Sequence, residues 1–161
     1  MTQILRCSVL PQWDEIEVVR DKTVAFCREQ GLIDEVTDAV AMVTSELLEN
    51  ANKYGTTTAE HPEIEVRLTC RSSSVTVEVR HDTAPGSAAH LLRLDRMIQW
   101  IRSYQDPFQA YLERLREVST QSLEHRESCM GLVRIAYEGR SIVDFFLDED
   151  NTLTVSAVHP L

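Results

Sequence analysis

Eleven consecutive residues, Ser45 to Gly55 (SELLENANKYG), place a carboxylate, Glu46, four residues before an amide, Asn50. On a helix, residues four apart lie on the same face, one turn above the other. A carboxylate and an amide held together on the apolar side of a helix suit a magnesium–nucleotide site. Taken alone, E-x-x-x-N has a plainer reading, with Asn50 bonding a neighbouring loop and Glu46 an ordinary helical surface residue.

The helical register decides how exposed the pair is. At 100° per residue, Val36, Val40, Val43, Leu47, Ala51 and Tyr54 fall within roughly 80° of one another and form one apolar stripe. Asn50 projects just inside that stripe and Glu46 just outside it, so the two share a rim. An amide against apolar surroundings costs about 1 to 3 kcal/mol if left without a partner. Asn50 is therefore expected to have one, whether protein, water or metal.

Two further segments carry residues of interest. From Val75 to Gly86 the chain reads VTVEVRHDTAPG, in which Val75, Val77 and Val79 alternate with polar residues as in a half-buried strand. Asp82 follows Asn50 by 32 residues, a separation that fits a helix followed by a hairpin. By itself, a strand running into Asp82, Pro85 and Gly86 is also what turn chemistry produces. From Cys129 to Ile135 the chain reads CMGLVRI, a glycine opening an apolar helical stretch. Helix N-termini attract phosphate through unsatisfied N–H groups and the helix dipole.

ELLENANKYG resembles the N box of the ATPase superfamily that includes gyrase, heat-shock chaperones, sensor histidine kinases and mismatch-repair proteins, built on the Bergerat fold. The resemblance implies that Glu46 polarises the attacking nucleophile and Asn50 ligates magnesium. DTAPG is similar to the D-x-G-x-G box, which implies that Asp82 bonds adenine and that Gly86 helps to shape the phosphate lid; Ala84 stands at the first glycine. CMGLVRI is similar to a reduced G-x-G-L-x-x-I box, with Gly131 and Leu132 in place and Cys129 at the first glycine. Side chains at Ala84 and Cys129 stand where backbone would approach phosphate, which bears directly on whether ATP and magnesium bind. Thr152 is a loose match to a threonine found near adenine. Within the superfamily, small size and the absence of a phosphoacceptor-helix domain point to the anti-sigma-factor serine kinases of bacterial partner switching. Those proteins phosphorylate a serine on a small antagonist and release or capture a sigma factor.

The chain's composition sets the outer limits. With 161 residues and 43% hydrophobic content, the expectation is one domain with a two-layer core. No apolar run approaches the roughly 20 residues needed to span a bilayer. The start, MTQILRCSVLPQWDEIE, lacks the charge and apolar core of a signal peptide, so a cytoplasmic location is expected. A net charge of −10, from 16 basic and 26 acidic residues, disfavours a nucleic-acid partner. The four cysteines, at 7, 27, 70 and 129, lack zinc or dithiol spacing and are expected to be free core thiols. Among the histidines, His81 alone is near the proposed pocket, with a surface or strand-edge place as its plain reading.

The elements that must hold the site follow from periodicity. A strand near Gln3 to Val9 precedes a helix from Pro11 to about Gln30, stopped at Gly31. The Glu46 helix starts near Ile33. Strands are predicted at Glu63 to Cys70 and Val75 to His81, and again around SIVDFFL and TLTVSAV. Between Ser87 and Ser128, Leu91, Leu94, Ile98, Ile101, Phe108, Tyr111, Leu112 and Leu115 recur at three and four, which describes two amphipathic helices broken at Asp106-Pro107. This hairpin, rich in aromatics, has four candidate roles: core packing, covering the pocket, pairing two protomers into a homodimer, or binding a regulatory protein.

The expected fold is thus a two-layer α/β sandwich, Bergerat-like, with helices on one face of a mixed, mostly antiparallel sheet and a helical insertion at 87–128. The resemblance implies an ATP-binding regulator whose partner is an antagonist-like protein or a sigma factor. The rival reading is a non-catalytic module that keeps the fold and binds a partner through the hairpin.

Overall fold

Alternation of apolar and polar residues sorts every strand into a buried and an outward face, and pairing carries that division across the whole sheet. The computed structural model describes residues 1–55, 60–84, 87–121 and 130–161. In chain order the elements are β1 (Gln3–Val9), α1 (Trp13–Glu29), α2 (Asp34–Tyr54), β2 (Ile64–Arg71), β3 (Ser74–Asp82), α3 (Ala88–Arg102), α4 (Pro107–Thr120), α5 (Met130–Tyr137), β4 (Ile142–Leu147) and β5 (Thr152–Pro160). The strands form one sheet in the order β1-β2-β3-β5-β4. Each pairing is antiparallel, so the described sheet contains none of the parallel pairing that a mixed sheet implies.

Register aligns Cys7, Val66, Val79, Val155 and Phe145 in a row beneath the helices. One residue along each strand, Arg6, Arg67, Glu78, Ser156 and Asp144 form the matching row on the opposite face. There Arg67 grips Glu78 with two hydrogen bonds, at 2.6 and 2.9 Å. Against the buried face, Val40, Val43, Leu47, Leu48 and Ala51 of α2 join Val19 and Phe26 of α1 and Leu132, Val133 and Ile135 of α5 in one core. Full burial of a leucine such as Leu47 or Leu48 contributes about 1.5 to 3 kcal/mol. Cys7, Cys27 and Cys70 are free thiols of this layer, and burial pushes the Cys27 thiol up to about 11, with Cys70 adding to it. Cys129 lies outside the described residues.

Local chemistry accounts for the boundaries. Gly31 takes a φ of +73° just beyond α1 and donates to Arg28 O at 2.9 Å, a conformation that costs glycine least. Asp106 caps α4 by accepting from Phe108 N at 3.0 Å, with Pro107 in the first turn. The β4–β5 turn is held by Asp148 Oδ1, which accepts from the backbone N–H of Asp150 and Thr152, while Asn151 adopts a φ of 58°.

The expected hairpin is present as α3 and α4, joined at Asp106-Pro107. α4 lies along α5, where Phe108 and Tyr111 both pack on Tyr137, with ring centroids 4.9 and 5.2 Å away. The end of α3 is tied to the sheet by Arg102, which donates to Val143 O at 2.9 Å and faces Asp144 at 3.3 Å. No helix among the described residues is long and apolar enough to cross a membrane.

Candidate functional site

Glu46, Asn50 and Gly131 meet where the first turn of α5 crosses α2. A Cβ built on Gly131 would stand 2.6 Å from Glu46 Oε2 and 3.9 Å from Asn50 Nδ2. Any side chain there would enter the space of the carboxylate, so glycine allows this close crossing. Gly131 is thereby brought to residues 85 and 81 positions earlier in the sequence.

The carboxylate is more deeply set than the helical rim position implied. Glu46 is 8% exposed, because α5 closes over the edge of the α2 stripe. Its partner is Arg134 on α5, whose Nη1 donates to Glu46 Oε1, while Arg134 Nε donates to Glu138 at 3.1 Å. Burial pushes the Glu46 pKa above the usual carboxylate range, and Arg134 opposes that rise; Glu49 and Glu138 add to it and Lys53 reduces it. Burial lowers the Arg134 pKa, and Glu46 and Glu138 more than offset it, leaving it raised.

Beside this crossing, Asn50 lines a slot floored by Leu47, Ala51, Val79, Leu153 and Val155 and roofed by Leu94 and Met97 of α3. His81, His90, Arg93 and Tyr54 supply its polar end. Tyr54 and His90 stack with centroids 4.3 Å apart and planes inclined by 17°. Burial holds the His81 pKa below its ordinary value, opposed by its hydrogen bond to the Asp82 carbonyl. Burial also lowers the His90 pKa, with His81 and Arg93 contributing. With α3 in this position the slot has about 80 Å3 of free space, well short of the roughly 300 to 1,000 Å3 of ordinary ligand clefts.

Asp82 and Thr152 do not line this slot, although their neighbours His81 and Leu153 do. Val75, Val77, Val79 and His81 face the helices, and Asp82 is one residue out of that phase. It pairs with Thr152 across β3 and β5, and the Thr152 hydroxyl donates to Asp82 Oδ1 at 3.2 Å. Both line a depression of about 510 Å3 with Glu65, Arg80 and His81, and His81 also lines the slot beside Asn50. Gly86 is outside the described residues. His81 is buried in the slot rather than on a strand edge, a placement legible in its phase with Val79. Arg134 and His90 were not singled out by spacing at all.

A helix carrying Glu46 and Asn50, followed by an antiparallel hairpin and laid over its sheet, is the arrangement on which one comparison bears directly: residues 11–99 match the histidine kinase-like ATPase domain family. The chain belongs to this family. The match spans more than half of the chain and includes Glu46, Asn50 and Asp82; Gly131 and Arg134 lie beyond it. No curated protein matches the sequence. Thirteen chains of solved structures match it. One, from the crystal structure of the SiaB-SiaC complex of Pseudomonas aeruginosa, superposes with a TM-score of 0.68 at 17% identity, covering 98% of this chain and 89% of that one. At that identity the likeness is one of fold, and it extends through the helices and strands beyond residue 99.

The family implies ATP, with magnesium, and the residues at the crossing fit that group in chemical type. Gly131 lines the slot together with Asn50, and an amide oxygen is a hard donor of the kind magnesium takes alongside phosphate oxygens and water. No group of three or more His, Cys, Asp or Glu side chains that could hold a metal occurs among the described residues. Asn50 would thus act with the phosphates rather than within a protein cage.

Proposed function

We propose that this chain is an ATP-dependent regulator that transfers a phosphoryl group to a hydroxyl of a protein partner. The observation that carries this reading is the convergence of Glu46, Asn50 and Gly131 at the α2–α5 crossing, in a chain of the histidine kinase-like ATPase family. Bound ATP with magnesium would supply the γ-phosphoryl group and the charge neutralisation that phosphoryl transfer needs. Asn50 holds the metal. Gly131 would shape the phosphate lid, a role that the resemblance implies. Glu46 accepts the proton of the attacking hydroxyl as its oxygen bonds to phosphorus and the bridging oxygen leaves on ADP with the bonding pair. Asp82, Gly86 and Thr152 enter as adenine and lid residues through the resemblance alone. The partner class fits a switch of the anti-sigma type, and the fold likeness to a chain taken from a two-protein complex supports a protein partner.

One observation favours a second reading. α3 fills the slot beside Asn50 and Arg134 occupies Glu46, as expected of a member that keeps the fold for partner binding without turnover.

Calorimetric titration with ATP and ADP, each with and without magnesium, separates the two. Magnesium-dependent binding that Asn50→Ala weakens by about tenfold or more supports the first reading. A folded protein that binds neither nucleotide at millimolar concentration supports the second.

A further inference from the structure

The reading of Glu46 as a base leaves unexplained why an arginine from another helix is joined to it. A buried carboxylate is driven toward its protonated form, and a protonated base is no base. Desolvation acts on Glu46 in that direction, and Arg134 is the largest influence opposing it. The contact also has a direction. Arg134 Nη1 engages Oε1, and Oε2 is the oxygen on the side of Gly131. Arg134 is itself steadied, because its Nε donates to Glu138 just past the end of α5. The chain Glu138–Arg134–Glu46 thus holds one oxygen and presents the other to the place where magnesium and phosphate are expected.

We propose that Arg134 is a positioning residue for Glu46, holding the carboxylate through Oε1 so that Oε2 faces Gly131. The proposal rests on Glu46 being the base. The charged groups that bear on Glu46 are Glu49 and Lys53 from α2, Arg134 from α5 and Glu138 just beyond its end, and Tyr111 of α4 bears on Arg134. Of these, Arg134 is the one hydrogen-bonded to the carboxylate.

The test compares the full chain with Arg134→Gln, Arg134→Lys and Glu46→Gln, using magnesium ATP as the probe and, with water standing in for the partner hydroxyl as acceptor, phosphate release as the rate. The Glu46 carboxyl is titrated in parallel by NMR, assigned by its loss in Glu46→Gln. The expected result for Arg134→Gln is a kcat at least about tenfold lower near neutral pH with KM changed by less than about threefold. The acid limb of its pH–rate profile moves to higher pH together with the Glu46 midpoint, and Arg134→Lys recovers part of both. A wild type that turns over ATP, loses activity in Glu46→Gln, and shows neither shift in Arg134→Gln overturns the proposal while leaving Glu46 as base. A KM effect with unchanged kcat overturns it as well. A wild type no faster than Glu46→Gln removes the base reading, and the proposal falls with it. Arg134→Lys retains a cation at the site and supplies the comparison if Arg134→Gln is unfolded by circular dichroism.

Discussion

Tyr54, on the last turn of α2, stacks on His90, in the first turn of α3, with ring centroids 4.3 Å apart. The contact joins the helix that carries Glu46 and Asn50 to the helix that roofs the slot. Tyr54→Ala is expected to cost about 0.5 to 1.5 kcal/mol beyond lost area and to speed amide exchange across Ala88–Met97 by hydrogen–deuterium mass spectrometry. If α3 must yield to admit nucleotide, loosening it raises the competent fraction and therefore the apparent affinity. Tighter magnesium–ATP binding by Tyr54→Ala is the expected outcome, and weaker binding would assign the ring to the ligand instead.

Gly131→Ala places a methyl group 2.6 Å from Glu46 Oε2. Glu46 or α5 must shift, at about 1 to 3 kcal/mol, measurable as a lower midpoint in urea. Glu46→Ala removes the obstructing carboxylate, so the double variant should lose less than the sum of the singles. Strict additivity would show that the crossing relaxes elsewhere.

Glu46→Gln tests the charge rather than the shape. The folded-state pKa of Glu46 is raised, mainly by burial, so its negative charge costs stability above that pKa, and the cost disappears as pH falls through it. Relative to Glu46→Gln, the wild type should therefore gain stability on acidification from neutral pH toward the carboxylate range. Denaturant midpoints at a series of pH values read this directly, and a difference independent of pH would place Glu46 in water.

His81 and His90 act in the opposite sense. Burial lowers both below the ordinary value of 6.5. Their contribution to stability is complete above 6.5 and is lost as pH falls through the depressed folded-state values, because the unfolded chain binds the proton first. Thermal melts between pH 7.5 and 5 should show this loss, and His81→Asn should reduce its slope.

Much of this architecture was readable before any coordinates. Alternation located β1 over Gln3–Val9 with both ends correct, and Asp106-Pro107 marked the start of α4 because capping is a local event. The shared face of Glu46 and Asn50 followed from helical spacing. The depth of Glu46 did not, because α5 covers it from 88 residues away, and periodicity within α2 carries no information about a neighbouring helix. Arg134 escaped notice for the same reason: its neighbours Leu132, Val133 and Ile135 define a buried stretch, and its partner is distant in sequence. The phase of Asp82 was available in the strand alternation, which already set His81 beside Val79 and turned Asp82 to the other side. The box match alone drew attention to Asp82.

Of the five described strands, β5 comes last in chain order yet lies between β3 and β4, and its nine residues pair with the full length of β3. Until Thr152–Pro160 has emerged, β3 has an open edge and the paired strands are β1, β2 and β3 alone. Such an edge is a template for pairing with other chains. Glu46 likewise emerges well before its counter-ion. Completion of the sheet and completion of the charged crossing are thus late events of high contact order. A chain truncated before β5 is expected to aggregate rather than persist as a smaller folded unit.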